Sequence, residues 1–194
     1  NENYIIDVKN DLEILIAIQE DWKVLKQKEF KDPKTEAIKK FITNELKKDP
    51  KRKIIIFTEF SDTAKYLYSQ IKKFFKRVDL YTSKESSSSK KKKEIKDNFD
   101  AGISPNNQKN DHDILIATDT ISEGFNLHRA GTIVNYDIPY NPTRVVQRFG
   151  RINRMNKKMF DKLYIYNFFP TEIGEAEVNL KRIKGIKKLL FNAI

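Results

Sequence analysis

An α/β domain built on a mostly parallel sheet covered by helices is the fold class this sequence predicts, and three observations predict it. Ile54–Phe57, Ile114–Ala117, Thr132–Tyr136 and Leu163–Phe169 are short apolar runs of strand length, with Val78–Tyr81 a further strand candidate. Segments of helical period lie between several of them, the alternation of βαβ units. The chain has 194 residues, 39% hydrophobic and 34% charged, a globular composition long enough for one domain with its own core. The expected organisation is a helical lead-in over 1–50, the sheet domain over 51–170 and a closing helix over 171–194.

In chain order, Leu12, Leu15, Ile18, Trp22 and Leu25 recur every three or four residues and predict an amphipathic helix on which Trp22 is a packing anchor. Asp32 followed by Pro33 is an N-cap with proline at the first helical position; Ile38, Phe41, Ile42 and Leu46 form the apolar face, and Asp49 with Pro50 ends it. Ile54–Phe57, apolar and mostly β-branched, suits a strand buried on both faces. A helix follows from Ser61 or Asp62 with Ala64, Leu67, Tyr68, Ile71, Phe74 and Phe75 on one side. Thr82 to Lys93 is a low-complexity Ser and Lys tract leading into a short helix with Ile95 and Phe99, and the polar Asn106–Asp111 predicts a mobile loop. Val178, Leu180, Ile183, Ile186, Leu189 and Leu190 outline the closing helix.

Composition excludes several functions. There is no cysteine, which removes disulfides, thiolate nucleophiles and cysteine-ligated zinc, and His112 and His128 are too few for a histidine cage, so no metal site is expected. Both histidines are expected at the surface or in turns. No apolar stretch approaches the roughly 20 residues of a membrane span, and a cytoplasmic protein is expected. The chain starts at Asn1 rather than Met, which points to a segment of a longer polypeptide. A formal charge of +11 favours a polyanionic partner.

Three segments carry chemistry. In Asn141–Arg154, NPTRVVQRFGRINR, Pro142 opens a helix on which Gln147, Arg151 and Arg154 stand at i, i+4 and i+7. Aligned guanidiniums suit either a solvated basic face or an anionic ligand. Gly150 costs roughly 1 kcal/mol against alanine within a helix, which suggests a close approach to the backbone there. In Ile114–Leu127, ILIATDTISEGFNL, a buried strand runs into Thr118, Glu123, Gly124 and Asn126, at the strand end where α/β sheets bind ligands. The same residues also suit an ordinary turn. The first strand ends in Thr58, Glu59 and Phe60 before Ser61, a helix start able to accept phosphate or simply to cap.

In order and content, IIIFTEF, ILIATDTISEGFNL and QRFGRINR resemble motifs IV, V and VI of superfamily 2 helicases, the last matching QxxGRxxR. DPKTEAIKKFI, FTEFSDTAKYLYSQI, NYDIPYNPTRVVQRFGRINR and IYNFFP are similar to the C-terminal RecA-like lobe of bacterial Swi/Snf-like ATPases, the kind typified by the RNA-polymerase-associated ATPase and its phospholipase-D-linked relatives. The resemblance covers about residues 32 to 170.

It implies that Arg151 and Arg154 are arginine fingers reaching ATP on another lobe, with Gln147 coupling their helix to the nucleotide or that lobe. Glu123, Gly124, Asn126 and Gly150 become nucleotide-side or interlobe residues. Thr58, Thr82, Ser83 and Thr118 become contacts to a nucleic-acid backbone, although serines replace the glycine that relatives often carry after Thr82. ATP with Mg2+ is the implied cofactor, held mainly by an N-terminal RecA-like lobe of the same polypeptide, because neither a G-x-x-x-x-G-K-[ST] loop nor an acidic motif of the DExH kind occurs here. Nucleic acid, double-stranded DNA in particular, is the implied partner. The expected function is one lobe of an ATP-dependent DNA translocase, the fragment alone being inactive; the alternatives are a strand-separating DNA or RNA helicase lobe and a binding adaptor that never meets ATP.

Overall fold

A computed structural model describes residues 2–27, 31–122, 124–139, 141–153 and 159–169. The predicted closing helix and Arg154 and Glu123 lie outside them. The chain divides into two compact units, Asn1–Lys40 and Phe41–Ile194.

In the first unit, helix α1 (Glu2–Gln27) is longer than its predicted core, and its side chains from Tyr4 to Lys23 are all exposed. The expected amphipathic face is not buried: Leu12, Leu15 and Ile18 are exposed, Ile6 adds an apolar group on the opposite side of the helix, and Trp22 is 60% exposed rather than anchored. Helix α2 (Pro33–Lys48) starts as predicted, Asp32 accepting hydrogen bonds from the Lys34 amide at 3.0 Å and the Thr35 hydroxyl at 2.5 Å. Its later residues belong to the second unit, where Ile42 is buried and the Phe41 ring meets Tyr166 edge-on at 4.4 Å.

The second unit holds one sheet of five parallel strands in the order β2-β3-β1-β4-β5. The strands are β1 (Lys53–Phe57), β2 (Val78–Tyr81), β3 (Ile114–Ala117), β4 (Ala130–Asn135) and β5 (Tyr164–Asn167). Every residue of β1, β3 and β4 is buried, so both faces of the sheet centre are covered, as a parallel α/β sheet requires. Strand pleating sends Ile55, Phe57, Leu115, Ala117 and Ile133 into one core cluster with Ile95 and Phe99 of α4 (Ser89–Phe99) and Ile152 of α5 (Pro142–Ile152). Helix α3 (Ser61–Ile71) buries Ala64, Leu67 and Ile71 and packs along β2 and β3.

Two loop expectations change. Helix α4 starts inside the Ser and Lys tract, because the Ser88 hydroxyl caps the Lys91 amide at 3.2 Å and lysines are good helix formers. The 106–111 segment is tied down: the buried Arg129 guanidinium donates to the Lys109 carbonyl at 2.8 Å and the Asp97 carbonyl at 3.0 Å, and Asn98 Oδ1 accepts from the Asp111 amide at 2.7 Å. A buried cation needs acceptors, and this loop supplies them. His128 lies in a turn, one of the two expected places, but it is buried.

At the amino end of β1, Lys53 is buried, with its ammonium donating to the His112 carbonyl at 2.5 Å and lying over Phe99. Burial, helped by Arg129, lowers its pKa to about 8. Between about 8 and 10.5 the unfolded chain keeps a proton that the folded one has released, so Lys53 contributes stability that grows as pH rises through that window and is lost as pH falls through 8. Comparing melting temperatures of Lys53→Met and the parent across pH 7 to 10.5 checks this. The difference between variant and parent should move in the parent's favour as pH rises, and a difference independent of pH would count against it.

Candidate functional site

The sheet's chain path sets where a site can lie. β1 is followed by a crossover toward β2 on one side, whereas β3 and β4 are followed by connections toward the other. The carboxyl ends of β3, β1 and β4 therefore border a topological switch point, where an α/β sheet leaves room for a ligand. Registers pair Ala117 with both Phe57 and Tyr81, so the next residues, Thr82, Thr118 and Thr58, stand side by side along this edge.

All three threonines are buried, and their hydroxyls have partners inside the chain. Thr58 Oγ1 donates to Asp137 Oδ2 at 2.5 Å, and the other oxygen of that carboxylate accepts from the Glu59 amide at 2.7 Å. Thr82 and Glu85 form the acidic half of a capping box: the Thr82 amide and hydroxyl both donate to Glu85 Oε2. These hydrogen bonds hold the Glu85 carboxyl below its ordinary pKa even though burial pushes it up. Thr118 Oγ1 lies 3.2 Å from Thr120 Oγ1, while Ser83 is exposed. The capping box was legible as T-x-x-E at 82–85; the Thr58–Asp137 contact, 79 residues apart, had no local signal.

Helix α5 begins as predicted, the Asn141 side chain accepting from the Thr143 amide at 3.0 Å with Pro142 in the first turn. It ends at Ile152, so the predicted stripe keeps Gln147 and Arg151 on the helix. Val145, Arg148 and Ile152 face inward; Gln147 and Gly150 are exposed. A Cβ on Gly150 would meet nothing within 4 Å, so nothing in the described chain makes the close approach its sequence suggested.

The residue that sequence reasoning missed is Arg148, which is 0% exposed. Its Nε and Nη2 donate to the two oxygens of Asp119 at 2.6 and 3.0 Å, Nη1 donates to Asn135 Oδ1 at 2.8 Å, and the guanidinium lies 4.9 Å from the Phe57 ring centre. One side chain thus joins α5, the short turn Asp119–Ser122 after β3, and the end of β4. Arg144, half exposed, adds longer contacts to Glu59 at 3.3 Å and Asp119 at 3.4 Å.

Arg151 contrasts with Arg148. It is partly exposed, and its guanidinium makes one long contact, 3.5 Å to the Phe125 carbonyl, among the described residues. Its own carbonyl accepts from the Leu127 amide at 2.9 Å, which joins α5 to the loop after β3. In that loop Gly124 has φ +90°, a left-handed conformation natural to glycine, and Phe125 is buried against Tyr81. Asn126 turns toward Asp100 at 3.5 Å. The arrangement brings Arg151, Gly124 and Asn126 to one loop–helix junction, with Thr58, Thr82, Ser83 and Thr118 along the strand ends.

Removing a buried cation strands its partners. Arg148→Ala should lower the free energy of unfolding by about 3 kcal/mol. Arg148→Lys should recover only part, because an ammonium lacks the planar fork that meets Asp119 and Asn135 together. Urea unfolding measures both, and a loss below about 1 kcal/mol, the scale of an exposed pair, would contradict the assignment.

Residues 33–156 match the family described as the helicase conserved C-terminal domain. The chain is 32% identical over 126 residues to the uncharacterized ATP-dependent helicase YqhH of Bacillus subtilis, covering 65% of this chain and 20% of that protein. It is 26% identical over 192 residues to the ATP-dependent DNA helicase fml1 of Schizosaccharomyces pombe, covering 98% of this chain and 21% of that protein. It therefore spans about a fifth of the length of these relatives. Among solved structures, the Pyrococcus furiosus Hef helicase domain superposes with a TM-score of 0.57 at 22% identity, over 81% of this chain and 30% of that one. With well over half its length matched, and four of the five parallel strands of a RecA-like sheet within the matched segment, the chain belongs to the helicase conserved C-terminal domain family of superfamily 2.

Proposed function

We propose that this chain is the C-terminal lobe of an ATP-dependent DNA translocase of the bacterial Swi/Snf-like type, residues 51–170 forming the lobe, 1–50 a helical lead-in and 171–194 a closing helix. Arg151, with Arg154 and Gln147, acts on ATP–Mg2+ held mainly by an N-terminal RecA-like lobe of the same polypeptide. The observation that carries this reading is the contrast on α5: Arg148 is buried and bound on three sides, whereas Arg151, three residues on, is partly exposed with one long contact among the described residues. A guanidinium held in position by its neighbours yet lightly engaged suits an anionic group arriving from outside. Such a finger offsets charge on the transferring phosphoryl group and is worth roughly 10³ to 10⁵ in rate.

Glu123, Gly124, Asn126 and Gly150 face the nucleotide or the other lobe in this reading. The open space around Gly150 and Gly124 supports it, since an incoming surface meets no obstruction there. The strand-end row carries the nucleic acid. Ser83 and Thr118 contact the phosphate backbone directly, while Thr58 and Thr82, whose single hydroxyl protons go to Asp137 and Glu85, shape the edge and would contact phosphate only by releasing them. Backbone contacts of this kind follow a strand without reading its sequence, and the net charge of +11 favours them. A strand-separating activity is the second reading, favoured by the names of both relatives, which are helicases.

In the intact protein, Arg151→Ala should cut nucleic-acid-stimulated ATP turnover by roughly 10³-fold or more while leaving DNA affinity within a few fold; unchanged turnover would remove the finger assignment. Duplex DNA should stimulate turnover more than single strands or RNA do. A pure translocase should displace the third strand of a triplex without parting a duplex, and separation of short duplexes would favour the second reading.

A further inference from the structure

At the opposite end of the sheet, away from the helicase residues, three donor side chains converge from segments distant in sequence. Asp79 lies in β2, Glu94 on α4, and His112 two residues before β3. One donor atom from each falls within a cluster whose members all lie within 4.8 Å of one another. His112 Nε2 is 2.9 Å from Glu94 Oε1 and 3.6 Å from Asp79 Oδ2.

The cluster is positioned from outside. Asn98, fully buried, donates to the Glu94 carbonyl at 3.0 Å and accepts from the amides of Asp111 at 2.7 Å and His112 at 3.3 Å, which sets the imidazole over α4. Lys91 bridges the far oxygens of the two carboxylates, Asp79 Oδ1 and Glu94 Oε2, and Asp79 Oδ1 also accepts from the Leu80 amide at 2.8 Å. The near oxygens are left facing the ring. Asp79 is only 4% exposed, and among the described residues its Oδ2 has no hydrogen-bond partner, an arrangement that costs free energy unless something else approaches that atom. One ammonium against two carboxylates leaves the cluster negative when His112 is neutral.

We propose that Asp79 Oδ2, Glu94 Oε1 and His112 Nε2 bind a divalent first-row cation of the zinc class. Bonds near 2.1 Å in a tetrahedral arrangement place ligand atoms roughly 3.4 Å apart, and the two pairs at 2.9 and 3.6 Å lie on either side of that spacing. Imidazole with two carboxylates suits zinc, whereas Mg2+ prefers an all-oxygen set. Asn98 and Lys91 are the outer partners that hold the ligands in place. The fourth position opens on the side of Glu94, whose side chain is 37% exposed, and the ion would tie β2, α4 and the segment leading into β3 together. The inference does not depend on the helicase reading.

The test is calorimetric titration of the intact, chelator-stripped protein with Zn2+, with millimolar-range Mg2+ present throughout, compared with His112→Gln. Glutamine keeps a donor toward Glu94 but cannot supply the ring nitrogen. One zinc equivalent should bind to the parent and weaken by more than about 100-fold in the variant, since losing a ligand exceeds the 10 to 100-fold effect of losing an outer partner. Co2+ should give a visible absorption band in the parent that the variant lacks. Should His112→Gln fail to fold, Glu94→Gln, at a more exposed position, makes the same comparison. Absence of zinc binding, or binding unchanged by both substitutions, overturns the proposal.

Discussion

The buried guanidinium of Arg148 is the constraint on which the geometry of the helicase site depends. Moving a cation out of water costs several kcal/mol, and it is tolerated only when geometry supplies nearly every partner. Here the partners come from three places: the Asp119 carboxylate after β3, the Asn135 amide at the end of β4 and the Phe57 ring at the end of β1. Asn135 is held in turn by donating from Nδ2 to Asn167 Oδ1 at 2.7 Å on β5. The cation therefore gathers the ends of four strands and turns about itself, and α5 cannot slide or rotate without stranding it. The exposed Arg144 contacts to the same acidic residues add little by comparison, because water competes for them.

The strand ends show a related economy. β1, β2 and β3 are each followed directly by a threonine, whose hydroxyl turns to an acceptor or neighbour near the strand ends. Two of these hydroxyls meet a carboxylate: Thr82 that of Glu85 in its own following turn, and Thr58 that of Asp137 beyond the end of β4. The edge facing a ligand thus carries hydroxyls already ordered by acids behind them, with the exposed Ser83 beside them. The protons of Thr58 and Thr82 are already committed to these acids, so their part is to fix the shape of the edge. The opposite edge is built differently. There Lys53, Arg129 and Arg77 hold main-chain carbonyls of the 110–113 segment and its neighbours, so part of the basic excess has a structural role.

What was legible in the sequence divides along physical lines. Central strands buried on both faces must be apolar throughout, so β1 and β3 stood out, and caps act within three residues, so Asp32 and Asn141 could be identified locally. The family motifs were legible because order and spacing are themselves sequence. Arg148 was not, since it lies in the same arginine-rich run as Arg151 and nothing local separates an arginine facing the core from one facing outward until the helix phase is tied to Asp119, 29 residues away. The amphipathic expectation for α1 failed for the converse reason: period alone cannot say whether a surface exists to receive the stripe. Asp79, Glu94 and His112 carry no spacing signature, because a parallel sheet assembles them through registers such as Asp79 with Leu115. The proposed site uses a single histidine with two carboxylates, a set that the histidine count alone does not indicate.

Arg148 and Arg151 stand three residues apart on one helix, yet rigidity is asked of one and reach of the other. The backbone makes this possible. The Arg151 carbonyl accepts from the Leu127 amide, and Leu127 closes the loop that begins at Thr118 and Asp119. A displacement of the Thr118 edge is therefore delivered to Arg151 by two routes, through Asp119 and Arg148 into the body of α5, and through the loop into its last turn. Both routes consist of short hydrogen bonds and packed side chains, with Phe125 wedged against Tyr81 in between. In the proposed translocase, these links would couple grip on the strand to approach to ATP. Gly124, with its left-handed backbone and no neighbour within 4 Å of where a Cβ would stand, is exposed on that loop, on the side the proposed partner lobe would approach.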